Sequence, residues 1–218
     1  SKDSWQLDEK VGSRKKLGDV SFMRQAVEKM KTEQIWKRGE HVYLQFVTYS
    51  GHNPFILPDN LKRIQLKGNY PRKMLDYMTM ANYTDHAVGI LLQYLKSRPD
   101  WHETMVVIVG DHEGLAADRA DIRRSAEGRR VVSASQFTPF IVLNSPVTMR
   151  YDGILGQVDM YPTILNLMHL DNYYWRGMGQ SILDKRKVAV AVGSQMNIEG
   201  DVSHASKVEI NRLTQAHT

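Results

Sequence analysis

Residues 104–112, with the sequence TMVVIVGDH, carry the strongest indication of a fold in this chain. An uninterrupted apolar run of this length, rich in Val and Ile, is typical of a strand buried on both faces of a parallel sheet. Gly110, Asp111 and His112 follow the run directly, so the strand delivers a carboxylate and an imidazole to the loop at its carboxyl end. This segment therefore predicts both an α/β fold and a place where polar chemistry can occur.

Two segments upstream extend the run into a βαβ unit. Residues 41–48 (HVYLQFVT) are rich in β-branched and aromatic side chains and predict a mostly buried strand. Residues 71–95 have apolar positions three, four or seven apart, which predicts a long amphipathic helix with Pro71 near its start. Parallel strands joined by a helix send their following loops to one edge of the sheet, where ligands bind. His52, after the first strand, is therefore expected beside Asp111 and His112.

The remaining segments complete an α/β pattern. We expect a helix from Asp19 to about Glu33, an exposed loop over 113–135, and a strand over 137–143 that starts late or lies at a sheet edge because of Pro139. A helix over 158–167 with Asp159 near its N-terminus, a strand over 188–192, and at most a weak hairpin over 194–218 should follow. The predicted fold is α/β, with a mostly parallel sheet flanked by helices and a small C-terminal strand or hairpin region.

Composition narrows the classes of function. The 29 basic and 24 acidic residues give a net charge of +5, but the basic residues are dispersed. This favours anionic substrates or an anionic membrane surface, and we expect no nucleic-acid partner. The chain has no cysteine, which excludes a disulfide, a thiolate zinc site and a cysteine nucleophile within it. Its apolar runs are far shorter than the ~18 residues that span a bilayer.

Asp111 and His112 have two interpretations from their pattern alone. A carboxylate and a neutral imidazole are both good ligands of divalent metal ions, and a turn after Gly110 would aim both side chains at one ion. In the alternative, Asp111 caps a helix that begins at Glu113, and His112 is an ordinary surface residue. The pattern does not choose between the two.

His52 also has two interpretations. In the functional one, its imidazole donates to a phosphate or sulfate oxygen, or carries a proton to a leaving group. In the structural one, it is a turn histidine packed against Pro54 and Phe55. The sequence around it leaves both open.

Three ordered motifs add a resemblance to a known family. They are FVTYSGHNPF at 46–55, VIVGDHEG at 107–114 and GQVDMYPTIL at 156–165. In order and spacing they resemble the catalytic domain of lipoteichoic acid synthase and related membrane-anchored, sulfatase-like phosphoglycerol transferases of the alkaline phosphatase superfamily. The resemblance runs through most of the chain and implies an alkaline-phosphatase-like fold.

The resemblance assigns roles to the candidate residues. It implies that Asp111 and His112 are two protein ligands of one divalent cation, Mn²⁺ or Mg²⁺, with Ca²⁺ or Zn²⁺ as alternatives. It places His52 in the substrate pocket against the phosphate or sulfate group, and it makes Asp159 structural. Glu113 is either a third ligand or an acidic residue at a helix start.

The same resemblance implies an incomplete active site. In the family, the nucleophile, a threonine or a formylglycine made from cysteine, and an acidic metal ligand precede the region matched here, and residues 1–39 resemble neither. We therefore expect 1–187 to be the C-terminal part of a sulfatase-like catalytic domain, 188–218 to be its terminal strand and tail, and the chain alone to lack a nucleophile.

The implied activity is that of a metal-dependent sulfatase-like hydrolase or a phosphoglycerol or phosphoethanolamine transferase. Its substrates would be phosphate or sulfate esters of anionic lipids or glycans at the cell envelope. The full-length protein would be anchored in the cell membrane by N-terminal helices absent from this chain, with this domain on the extracytoplasmic side. The competing hypothesis is a non-catalytic sensor or interaction domain that keeps the fold. A third reading, in which the Gly-Asp-His turn is only structural, predicts no metal binding.

Overall fold

The computed structural model describes residues 5–33, 36–37, 39–135, 137–170, 172, 177, 179–192 and 198–200. The helices are α1 (Asp19–Thr32), α2 (Arg72–Lys96), α3 (Arg119–Ile122), α4 (Ala126–Val131) and α5 (Met160–Leu167). The strands are β1 (Lys10–Val11), β2 (Lys16–Leu17), β3 (Val106–Val109), β4 (Phe140–Leu143), β5 (Val190–Val192) and β6 (Ile198–Gly200). The chain divides into two compact units, Ser1–Ile141 and Val142–Thr218.

The first unit is built on the packing of α1 against α2. Met23, Val27 and Met30 recur at helical spacing on α1 and share a buried cluster with Leu91 and Leu95 of α2. Burying each such side chain contributes about 1.5–3 kcal/mol. The helices predicted in both segments are thus confirmed, because the periodicity of each matches a real apolar face.

Residues 41–48 alternate between exposed and partly buried side chains, but the prediction of a strand there is wrong. Leu44 and Phe46 pack against the α1–α2 cluster, whereas Tyr43 and Val47 are exposed, so the segment has the side-chain period of a strand. Within the described residues no β-ladder includes it. A period of two shows only which side chains face the core, whereas a strand also needs a hydrogen-bonding neighbour.

The strand predicted at the Gly-Asp-His motif is present as β3, which is hydrogen-bonded to β4. It is half-buried instead of enclosed on both faces, and Val109 is 51% exposed. Strand β1 pairs antiparallel with β2, and β5 pairs antiparallel with β6. Helices and short ladders are therefore established in the described residues, while the mostly parallel sheet stays a prediction.

The exposed loop predicted over 113–135 is wrong. Helices α3 and α4 form within it, and Ser125 caps α4 by accepting a hydrogen bond from Gly128 N at 2.9 Å. Leu115, Ile122 and Val132 are buried in the second apolar cluster of this unit. These apolar residues are too widely separated among polar ones to produce a helical period in the sequence.

The second unit confirms two predicted elements, the helix over 158–167 and the strand over 188–192, while the weak hairpin expected over 194–218 stays a prediction. Helix α5 follows a 3₁₀ turn that contains the buried Asp159, as expected for a residue near a helix start. Strands β5 and β6 pair antiparallel, with Val190 opposite Gly200 and Val192 opposite Ile198. The rest of the predicted tail, 201–218, lies outside the described residues. No helix in the described part of the chain has both the length and the hydropathy to cross a membrane.

Candidate metal and substrate site

Gly110 joins β3 to the candidate metal ligands, and its lack of a side chain is needed for space. A Cβ atom there would lie 2.9 Å from Cδ of Pro139 and 3.1 Å from Cβ of Thr138. Gly110 N also donates a hydrogen bond to the Pro139 carbonyl at 3.0 Å. Its φ is not positive, so glycine is needed here because Thr138 and Pro139 lie close to its Cα, and not for the special backbone conformation that we expected.

Asp111 and His112 lie on the surface with their functional atoms facing one another. His112 Nε2 is 3.6 Å from Asp111 Oδ2, and His112 N donates to Asp111 Oδ1 at 2.9 Å. His112 Nδ1 lies 3.1 Å from the carbonyl oxygen of Glu113. A carbonyl only accepts, so Nδ1 carries a proton, and Nε2 is the ring nitrogen on the side of the carboxylate.

This geometry fits two ligands of one metal ion. Ligands bonded at 2.0–2.1 Å in a tetrahedral arrangement lie roughly 3.3 Å apart. The 3.6 Å between His112 Nε2 and Asp111 Oδ2 therefore needs only a small side-chain adjustment. The pair is suited to hold a divalent cation through one nitrogen and one oxygen.

Glu113 is occupied by an ion pair. Arg119 Nε donates to Glu113 Oε1 at 3.0 Å, and Arg119 Nη2 pairs with the other carboxylate oxygen, with both side chains mostly buried. Such a two-pronged guanidinium–carboxylate contact is strong and directional. No helix begins at Glu113, since the next helical turn starts at Ala116, so the helix-start reading of Glu113 and the helix-cap reading of Asp111 are both wrong.

In the part of the chain that the structure describes, Asp111 and His112 are not joined by a third candidate ligand. Among the described residues, no group of three or more His, Cys, Asp or Glu side chains could hold a metal ion together. As two ligands, Asp111 and His112 would supply half, or less, of the coordination that a divalent ion usually has in proteins.

His52 lies on an exposed turn, and its ring stacks on Tyr49. The ring centroids are 5.8 Å apart and the planes differ by 4°. His52 Nδ1 is 2.8 Å from the carbonyl oxygen of Asn53, so Nδ1 carries a proton and Nε2 is the nitrogen available to a ligand. Tyr49 was not singled out in the sequence, because stacking on the third residue along depends on the turn and not on a motif.

Tyr77 of α2 connects the His52 loop with the Gly-Asp-His loop. The ring of Phe55 meets the Tyr77 ring edge to face at 5.2 Å. A Cβ on Gly114 would lie 2.6 Å from Tyr77 Cε2, so the second loop passes directly over the same ring. Phe55 and Leu115 share one buried cluster. Both loops thus pack on one side chain, while the convergence of His52 with Asp111 and His112 stays a prediction.

Comparison with known proteins gives a family and several relatives. The sequence profile of the Sulfatase family matches residues 5–170. The chain is 23% identical over 185 residues to lipoteichoic acid synthase-like YvgJ of Bacillus subtilis, covering 81% of this chain and 29% of that protein. It is 25% identical over 152 residues to lipoteichoic acid synthase of Staphylococcus aureus, covering 66% of this chain and 23% of that protein. The chain thus spans less than a third of the length of these relatives.

Proposed function

The chain belongs to the sulfatase family, an enzyme family, and we propose that it forms the metal-binding part of an enzyme acting on phosphate or sulfate esters. The observation that carries the proposal is the 3.6 Å approach of His112 Nε2 to Asp111 Oδ2 at the end of β3. The similarity to lipoteichoic acid synthases favours transfer of a phosphoglycerol-type group over sulfate hydrolysis. The fold of the complete domain would be alkaline-phosphatase-like, with a mostly parallel sheet.

Asp111 and His112 would hold one divalent cation, Mn²⁺ or Mg²⁺, with Ca²⁺ or Zn²⁺ as alternatives. When bound, such an ion lowers the pKa of a hydroxyl nucleophile and offsets the charge of the attacked ester. Because the Glu113 carbonyl accepts from His112 Nδ1–H, Nε2 would be the nitrogen with which His112 holds the ion. The ion pair between Glu113 and Arg119 fixes the backbone that carries this carbonyl.

His52 would act on the substrate. With Nδ1–H engaged by the Asn53 carbonyl, a second proton can only reside on Nε2. The protonated ring would donate from Nε2 to an anionic phosphate or sulfate oxygen, or pass that proton to the leaving oxygen. Stacking on Tyr49 keeps the ring in one plane while it does so.

The two ligands described here require further groups. We propose that the nucleophile and an acidic ligand come from other parts of a longer protein, because the chain covers only 29% and 23% of its relatives. In that protein, 1–187 would belong to the catalytic domain and 188–218 would be its terminal strand and tail. The substrate would be an anionic lipid or glycan ester at the cell envelope, with the protein anchored in the membrane and this domain outside it.

The decisive experiment replaces Asp111 in the intact protein. Asp111→Ala should lower Mn²⁺-dependent turnover of a nitrophenyl phosphodiester or sulfate by at least about a hundredfold, because the ion loses a charged ligand. Asp121→Ala is the matched control, since Asp121 is an exposed acid of the same segment paired only with Arg124 in a surface salt bridge. Undiminished turnover in Asp111→Ala would refute the proposal.

The chain alone provides a second measurement. Titration with Mn²⁺ should broaden the amide NMR signals of residues 110–114 selectively. The affinity should be weak, because two protein ligands leave most coordination positions of the ion to water. His112→Ala should abolish the effect. Broadening in the chain together with no turnover by the intact protein would favour the sensor hypothesis, and no broadening would favour a purely structural turn.

A further inference from the structure

Asp19 is a buried carboxylate at the first position of α1, with 1% of its surface exposed. Its Oδ1 accepts hydrogen bonds from Tyr49 N at 2.8 Å and Ser50 N at 3.1 Å. Its Oδ2 accepts from Thr84 Oγ1 of α2 at 2.9 Å. In return, Ser50 Oγ accepts from Asp19 N at 2.9 Å. One side chain thus joins α1, α2 and the turn that precedes His52.

This arrangement differs from ordinary helix capping. A capping carboxylate accepts from N–H groups of its own helix, but α1 has no side-chain cap hydrogen bond and Gly18 occupies its N-cap position. The partners of Asp19 lie 30, 31 and 65 residues away along the chain. A buried carboxylate is tolerated only when its oxygens are satisfied, so these three donors and the turn that contributes two of them are held together.

The turn held by Asp19 is the one that presents His52. Tyr49 N is bound to the Asp19 carboxylate, the Tyr49 carbonyl accepts from His52 N at 3.1 Å, and the Tyr49 ring stacks on the imidazole. Two consecutive contacts therefore lead from the buried carboxylate to the imidazole ring. Asp19 is thus a buried, charged anchor for this turn, although it belongs to α1.

We propose that Asp19 is a positioning residue for His52, acting through Tyr49 and Ser50; the inference rests on the proposed role of His52 in substrate binding. Asp19 does not touch substrate in this scheme. It sets the angle at which the imidazole is presented, so its loss lowers activity only where His52 contributes.

The test is a double-mutant cycle in the intact protein, measured as kcat/KM for Mn²⁺-dependent turnover. Asp19→Asn keeps the side-chain shape but puts an NH₂ group where one oxygen accepted. It should lower kcat/KM about tenfold with His52 present and less than about twofold in a His52→Gln background. Equal losses in both backgrounds would show a general structural role and overturn the proposal.

Thr84→Val is the matched control. It removes the third partner of the same carboxylate, on the side of α2, and leaves both hydrogen bonds to the turn in place. It should change kcat/KM by less than about twofold although it also perturbs a buried network. A loss in Thr84→Val as large as that in Asp19→Asn would likewise overturn the proposal.

An NMR measurement on the chain separates this inference from the proposed function. The stacked Tyr49 ring should shift the His52 ring protons upfield, and that shift should collapse toward the value of a free imidazole in Asp19→Asn but persist in Thr84→Val. If His52→Gln retains full turnover, the role of His52 fails while the NMR result still decides whether Asp19 positions the ring. Should Asp19→Asn not fold, Ser50→Ala removes the reciprocal hydrogen bond and should reduce the same shift; an unchanged shift would refute positioning.

Discussion

Replacing Lys187 with methionine would break a buried ion pair in the second unit. Lys187 Nζ lies 3.0 Å from Asp159 Oδ2, and the two side chains are 6% and 4% exposed. The carboxylate also accepts hydrogen bonds from Gly156 N at 2.9 Å and Gln180 N at 2.8 Å. Asp159 thereby ties the start of α5 to the segment that leads into β5.

The expected magnitude follows from this environment. Removing one partner of a buried pair typically costs 3–5 kcal/mol, because the other charge is left uncompensated, and we expect about 3 kcal/mol here. The lower end applies since two backbone donors still serve the Asp159 carboxylate after Lys187→Met. A loss of about 3 kcal/mol corresponds to a little over a hundredfold in the opening equilibrium of α5.

The assay is amide hydrogen exchange of the α5 backbone, followed by NMR. Lys187→Met should accelerate exchange by that factor, whereas the control Lys185→Met, at an exposed neighbouring lysine, should change it by less than about threefold. The double variant Asp159→Asn with Lys187→Met should recover at least about half of the lost protection, because neither charge remains buried. An acceleration below about tenfold, or a double variant as labile as the sum of the single ones, would refute the reasoning.

Two further predictions concern the first unit. Gly110→Ala should weaken the broadening by Mn²⁺ of the amide NMR signals of residues 110–114, because its Cβ would lie 2.9 Å from Pro139 Cδ. Gly89→Ala is the control and should not weaken it, since its Cβ would meet nothing within 4 Å. Equal effects of the two substitutions would contradict the steric argument. The pKa of Asp8 is lowered in the folded protein, chiefly by a hydrogen bond from the Ser21 hydroxyl. The ionised Asp8 side chain therefore stabilises the folded state at pH values above its unfolded pKa of about 3.9, and this contribution is lost as the pH falls through its folded pKa. Asp8→Asn should therefore lower the thermal midpoint at pH 7, and its difference from the parent should shrink as the pH falls below the unfolded value. Since Asp8 is 40% exposed, the loss in the free energy of unfolding should stay below about 1 kcal/mol. A difference as large in acid as at pH 7 would contradict the argument.

Local patterns were sufficient for much of the secondary structure. The period of apolar residues predicted α1 and α2, and an apolar run predicted β3 with Asp111 and His112 at its end. Pro139 predicted the late start of β4, since proline lacks the N–H that a ladder needs. These features depend on residues close in sequence, whose propensities and spacing predict local structure directly.

Contacts between residues distant in sequence could not be predicted in this way. The segment 41–48 has a strand's side-chain alternation but no ladder among the described residues, and Glu113 is held by Arg119 instead of starting a helix. An acidic residue offers the same pattern whether it caps a helix, binds a cation or pairs with arginine. The choice depends on which donor reaches it in space.

Sequence patterns were enough to identify the family, the principal helices and the placement of Asp111 and His112 after a strand. Tertiary structure alone decided how those residues are supported: the carbonyl of Glu113 selects the imidazole nitrogen that faces the carboxylate, and Tyr77 packs under both loops. It also decided that Asp19 clamps a turn 30 residues away and does not simply cap α1. The physical reason is that hydrogen bonds and steric contacts depend on distance in space, which a one-dimensional pattern records only for near neighbours.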